Sequence, residues 1–463
     1  MTQATNSIPT ELGTEKIGKL LKQYALPAII AQTAASLYNM VDSIFIGQGV
    51  GPLAISGLAV TFPLMNLSTA FGTLVGAGAA TMLSVLLGQR NYKAANKVLG
   101  NVVTLNIIIG LLFMAAALIF IDPILYFFGA SENTLPYAKE YITIILAGNV
   151  ITHLYFGLNA AMRSSGSPKK AMGLTIFTVI FNTILDPVFI FVFDMGIAGA
   201  AWATVIAQTA ALIVVMTHFN DKKRPFHFER GIIRLDKRVA KDSLVIGMGP
   251  FLMNAAACLV TLFINQQLRK YSGDLGIGAY GICNRFIFMF IMICMGLNQG
   301  MQPIAGYNYG ARQYSRVREV FWQTAKLATL MTTICFIIGV FIPKAAAGIF
   351  THDEELLALS SRAMRMTTIM FPIVGFQMIT TNFFQSLGMV KKSIILSLSR
   401  QILFLLPMLY LLPLWIEADG VWLSFPISDT LATLLSFIML RRLFKKFRQL
   451  KDGDDSSILG SQI

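Results

Sequence analysis

The sequence has 463 residues, of which 55% are hydrophobic and 13% charged, against roughly 25% charged residues in soluble domains. A water-exposed fold has no place to hide so much apolar surface, which excludes a soluble enzyme or a soluble interaction module. The net charge of +14 would suit nucleic acid, but the basic residues collect in short runs between apolar stretches, so no nucleic-acid partner is implied.

Apolar stretches of about 20 residues, each long enough to cross a hydrocarbon core of about 30 Å as a helix, recur from Leu20 almost to Leu440. Twelve spans are predicted. The first, 19–47, carries Pro27 near its middle, where a missing N–H weakens the helix and a kink is expected. Later in the same span come Tyr38, Asn39 and Asp42; Tyr38 and Asp42 are four residues apart and share a face. The second, 53–87, presents Gly72, Gly76 and Gly78, a small-residue stripe suited to close helix packing rather than to phosphate. Spans three and four cover 97–121 and 137–162, and the fourth holds His153 and Asn159. In the fifth, 169–193, Asn182 and Asp186 lie one turn apart, and Pro187 leaves the Thr183 carbonyl without its donor. The sixth, 196–219, offers Thr204 and Gln208.

A basic stretch, 220–239, separates these spans from six more, over 240–269, 276–303, 318–342, 357–386, 392–414 and 420–440. The eighth span contributes Arg285 and the soft apolar side chains Phe286, Phe288, Met289, Met292 and Met295, suited to varied hydrophobic ligands or to ordinary packing. Arg400 and Asp429 follow in the last two spans. Charged groups at mid-membrane cost at least ~2.5–3.5 kcal/mol, which makes Asp42, Asp186 and Asp429 functional candidates. Cys258, Cys283, Cys294 and Cys335 lie in apolar stretches with no metal-ligand spacing and read as packing thiols.

The loops fix orientation. Lys16, Lys19 and Lys22, Arg90, Lys93 and Lys97, Arg163, Lys169 and Lys170, the 220–239 stretch, Arg312, Arg316 and Arg318, Lys391 and Lys392, and the residues after 440 mark one side. The opposite connections hold Arg269, Lys270 and Lys344. This places both termini in the cytoplasm of a cell with the protein in its inner (plasma) membrane. The first span has no signal-peptide character and is expected to stay in the mature protein.

The halves repeat. Gly88, Arg90, Tyr92 and Val98 return as Gly310, Arg312, Tyr314 and Val320, a shift of 222 residues, and Gly166, Lys169 and Lys170 return at the same shift as Gly388, Lys391 and Lys392. The expected fold is therefore all-α and integral to the membrane: two pseudo-symmetric six-helix lobes, 19–219 and 240–440, around a central cavity, with a cytoplasmic segment 1–18 and a basic tail 441–463 that ends in disorder.

The six-plus-six repeat, the segment from Met40 to Gly47 around Asp42, the Gly88-Gln-Arg90 loop and the Arg163-Ser-Ser-Gly166 turn together resemble the multidrug and toxic compound extrusion (MATE) family over about residues 15–445. Asn182, Asp186 and Pro187 resemble the DinF/MepA-like branch. The NorM-like branch uses acidic residues in helices seven and ten, whereas this chain has Cys258 and its apolar neighbours in the seventh and no Asp or Glu from Leu359 to Leu414. The resemblance implies a transporter, not an enzyme: a monomer that exports amphipathic, often cationic, compounds in exchange for H+ or Na+, with no cofactor. It also implies a cation site at Asp42, Asn182, Asp186, Thr204 and Asn159, with Pro27 as hinge. Tyr38, Asn39, Met289, Met292 and Arg285 are candidates for the substrate cavity. The alternative is a lipid-linked oligosaccharide flippase of the same superfamily, which would line its cavity with several cations.

Overall fold

Inside a bilayer each backbone N–H must find a partner within its own segment, and helices answer that demand. The computed structural model describes residues 10–222, 224, 226–228, 235–351 and 353–454, apart from the side chains of residues 37–40, 43, 44, 47, 48, 52 and 274. Apart from three short helices among the described residues, the spanning segments are α1 Ile17–Gly49, α2 Pro52–Gly88, α3 Tyr92–Ile119, α4 in two pieces (Leu135–Ala147 and Asn149–Ser164), α5 Pro168–Pro187 and α6 Gly196–Asn220. They continue as α7 Lys237–Gly273 and α8 Leu275–Gly310. The chain ends with α9 Tyr314–Phe341, α10 (Glu354–Thr368 and Phe371–Ser386), α11 (Val390–Leu398 and Leu406–Leu411) and α12 Pro413–Gln449. Every predicted span thus meets a helix or a broken helix. Among the described residues nine helices, or ten with the bent pair of α4, are long and apolar enough to cross a membrane.

Several spans depart from an unbroken helix, α12 among them at Ile416 and Glu417. The pieces of α4 meet at 53°, at Gly148, where an added Cβ would stand 2.6 Å from Val205. The piece of α10 ending at Thr368 is separated from the next by Ile369 and Met370. After Pro187, α5 widens into π-helical turns over Val188–Val192, and α11 does so over Ser399–Leu405. Within the predicted basic tail, α12 runs helically to Gln449. Beyond it Asp452 accepts a 3.0 Å bond from the Ser315 amide and Tyr314 donates to the Asp454 carbonyl at 2.9 Å.

The repeat is written in the backbone as well as in the side chains. Gly51 and Gly273 have φ of 115° and 61°, Arg90 and Arg312 59° and 60°, Gly166 and Gly388 94° and 69°. All three pairs are 222 residues apart. Arg90 and Arg312 close their helices identically: the Arg90 and Asn91 amides donate to Leu87 and Leu86, and those of Arg312 and Gln313 donate to Tyr309 and Asn308.

The chain forms two compact units, and they do not follow the chain order that the basic stretch suggests. Unit 1 is built on Ile30–Phe251, and unit 2 on Glu15–Ile29 with Leu252–Gln462. The start of α1 therefore packs in unit 2, and the start of α7 in unit 1. Glycine makes both packings possible. In unit 1 a Cβ on Gly78 would lie 1.9 Å from the Ser243 carbonyl oxygen, and one on Gly247 1.7 Å from that of Leu74. In unit 2 a Cβ on Gly300 would lie 2.4 Å from Ala25 Cα, and one on Gly296 2.5 Å from Ile29 Cα. Elsewhere Gly76 faces Gly157 across α2 and α4, so the glycine stripe of α2 serves helix packing. Cys283, Cys294 and Cys335 are buried free thiols, and Cys258 is half-buried.

The first residue before α7 carries its own prediction. Asp236 accepts from the amides of Arg238 and Val239 at 3.1 and 3.4 Å and from Lys97 Nζ at 3.3 Å. These bonds hold its carboxyl below the ordinary value of 3.8. A depressed folded value means the cap contributes fully at neutral pH and is lost as pH falls through that range. Asp236→Ala is expected to lower the melting temperature at pH 7 by more than it does near pH 3, and an equal drop at both would contradict the assignment.

Candidate functional site

The site grows from three turns of sequence in unit 1. On α5 the four-residue spacing sets Asn182 and Asp186 on one face, and Asn182 Nδ2 donates to Asp186 Oδ1 at 3.3 Å. The same amide reaches Thr204 Oγ1 on α6 at 3.4 Å. Thr204 spends its own proton on the Ala200 carbonyl, 3.1 Å away, so its oxygen is the acceptor. The helices come this close because Gly199 of α6 lies against the π turns, where a Cβ would stand 2.9 Å from the Phe189 backbone. From α1, Asp42 lies within electrostatic reach of Asp186.

Both carboxylates are withdrawn from solvent, Asp42 at 5% and Asp186 at 0% exposure. Asp42 Oδ1, Asp186 Oδ2 and Asn182 Oδ1 are buried without a hydrogen-bond partner among the described residues. Buried polar atoms are rarely left so, and leaving charged ones unsatisfied is costly. All three are acceptors. What such a set lacks is positive charge, supplied by a proton shared between the acids or by a small monovalent cation among their oxygens.

The other candidates fall in several places. Asn159 is buried, but its Nδ2 donates to the Ala171 carbonyl at the start of α5, 3.2 Å away. At 1.5 Å per residue, that carbonyl is roughly 16 Å along the helix from Asn182. Gln208 accepts from Thr152 on α4. Tyr38 and Asn39 are helical in α1, and their side chains lie outside the described residues. Pro27 is buried in unit 2, two residues before α1 passes to unit 1. Arg285 is exposed and Met292 half-buried on α8, while Met289 is 63% exposed.

His153 is fully buried in unit 1, with Nε2 2.9 Å from the Ser68 carbonyl and 3.3 Å from Ser68 Oγ. Ser68 Oγ in turn donates to Asn149. Sequence reasoning singled out the histidine but not Ser68 or Asn149; both are polar residues within apolar runs, and that was the available signal.

The sequence model of the MatE family matches residues 27–188 and 250–411, one block in each half. The chain belongs to the MatE family. Among its relatives, the multidrug export protein MepA of Staphylococcus aureus is 26% identical over 422 residues, 91% of this chain and 93% of that protein. MepA of Staphylococcus haemolyticus is 25% identical over 427 residues, 92% of this chain and 94% of its own. The solved structure of the MATE multidrug transporter DinF-BH is similar at 35% identity and a TM-score of 0.87, covering 95% of this chain and 98% of that one. The crystal structure of a MATE protein in a bent conformation superimposes with a TM-score of 0.89 at 21% identity, over 97% and 99% of the two chains. This MatE-family chain is thus a multi-pass membrane transporter of the DinF/MepA kind and not an enzyme.

Proposed function

We propose that this MatE-family transporter is a multidrug efflux antiporter, exporting amphipathic, often cationic, organic compounds in exchange for H+ or Na+. Coupling takes place at Asp42 and Asp186, with Asn182 and Thr204 as positioning groups and Pro27 as the hinge of α1. The observation that carries the reading is the acceptor-only cluster, three buried oxygens with no donor among the described residues. Such a cluster gains most from binding a cation and gives it up when its geometry opens, and unequal affinity of this kind lets a gradient drive a conformational cycle. The chain works as a monomer in the plasma membrane, and the basic loops support an orientation with both termini cytoplasmic. The flippase alternative has less support, since the charge of Arg400 is already engaged by Asp429.

Vesicles loaded with a fluorescent cationic dye test this directly. Export is expected under an imposed proton gradient or an imposed sodium gradient, and the gradient that works identifies the ion. Failure of both to drive dye movement would refute antiport.

A further inference from the structure

Unit 2 holds an intramembrane carboxylate of its own, Asp429 on α12, 2% exposed. Its Oδ1 accepts a 2.6 Å bond from Arg400 Nε, on the π-helical segment of α11. Its Oδ2 is buried without a hydrogen-bond partner among the described residues. A guanidinium laid side by side on a carboxylate makes two parallel bonds and satisfies both oxygens. Here a single bond is made, and half of the carboxylate is left over.

The surroundings repeat the device of unit 1. There, Asp186 adjoins Pro187, which offers no N–H to the Thr183 carbonyl, and the π turns of α5 follow directly. In unit 2, Asp429 comes three residues after Pro426, which offers none to the Trp422 carbonyl, and Arg400 lies in the π turns of α11. Trp422, Asp429 and Ser436 follow one another at seven-residue steps along one face of α12, and Trp422 Nε1, Asp429 Oδ2 and Ser436 Oγ are all buried and unpartnered among the described residues. Each half thus has a buried carboxylate within three residues of a proline, with a π-helical turn following it in unit 1 and carrying its partner Arg400 in unit 2. The difference is charge. The unpartnered atoms of the unit 1 set are all acceptors, with no cationic side chain among its residues, whereas an arginine stands in the set of unit 2.

We propose that Arg400 is a tethered counter-ion. Each half builds an intramembrane cation site around a buried carboxylate; unit 1 leaves it open to an exchangeable monovalent cation, and unit 2 keeps it filled with its own guanidinium. Ion uptake from solution is then confined to unit 1, and Arg400 sets that limit. Removing the guanidinium should convert Asp429 into a second site for a small cation, because a buried carboxylate stripped of its partner is strongly unfavourable. The inference takes from the proposed function only the comparison with Asp42 and Asp186, so it is tested where those two are silent.

The protein carrying Asp42→Asn and Asp186→Asn, in lipid nanodiscs, is titrated with guanidinium chloride at millimolar concentration. Choline chloride serves as the ionic-strength control, and tryptophan fluorescence and melting temperature are read. With Arg400 present no saturable response is expected. Adding Arg400→Ala should create one, with a melting temperature that climbs with guanidinium as mass action requires, and Asp429→Asn on top should remove it. An Arg400→Ala protein that elutes as a single species yet shows no saturable response overturns the proposal, as does a response that survives Asp429→Asn. If Arg400→Ala does not assemble, Arg400→Gln titrated with sodium chloride makes the same comparison. Failure of the unit 1 reading would instead appear as dye export by the Asp42 and Asp186 variants, with this titration unaffected.

Discussion

Asp186→Asn is expected to reduce gradient-driven dye export to the level of vesicles without transporter, while the protein stays inserted and elutes as a single species. The change keeps the size of the side chain and an oxygen able to accept from Asn182 Nδ2, 3.3 Å away. Only the charge goes. A neutral amide attracts neither a proton nor a sodium ion, so the inward-facing and outward-facing states lose the difference in ion affinity that links them to the gradient. Asp42→Asn should do the same, because its Oδ1 belongs to the same group of unpartnered acceptors. By contrast, Asn159→Ala should cost far less export, since its amide serves the Ala171 carbonyl. Wild-type export by either aspartate variant would remove coupling from this cluster.

The second large effect is structural. Gly78→Ala would drive a methyl to 1.9 Å from the Ser243 carbonyl oxygen, and Gly247→Ala to 1.7 Å from that of Leu74. Both obstacles are backbone atoms of packed helices, so no side-chain rotation relieves them, and α2 and the start of α7 must part. Overpacking of this kind costs about 3 kcal/mol or more. Each variant is expected to lose most of its monodisperse peak in fluorescence-detected size-exclusion chromatography. Gly173→Ala, with no atom within 4 Å of the new Cβ, should behave as the parent. An unchanged peak for Gly78→Ala would mean that these helices do not meet as described.

Much of this architecture could be read from the chain because the bilayer leaves so few options. A stretch such as 97–121 satisfies its backbone in a bilayer by forming a helix, and the six-plus-six repeat carries the same pattern through both halves. The repeat was legible because Gly88, Arg90 and Tyr92 mark a helix end that must be built the same way in both halves. Asn182 and Asp186 could be placed on one face from their spacing alone. Other features depend on partners far away in sequence. Nothing near Asn159 says that its amide will meet Ala171, and nothing near Arg285 says that it will stand exposed while Arg400 takes Asp429. The break at Gly148 lies against Val205, and the π turns after Pro187 lie against Gly199 of α6. Membership of the two units was the least legible. It rests on contacts such as Gly300 with Ala25, between residues that look ordinary in their own spans.

The placement of Glu15–Ile29 in unit 2 has a bearing on how the molecule is made. When the ribosome has delivered residues up to Asn220, the first membrane segment already exists, but Ile17, Leu20, Tyr24 and Ala25, all nearly fully buried in the finished protein, still await neighbours that have not been translated. The amino-terminal half expressed alone should therefore be a poor folding unit.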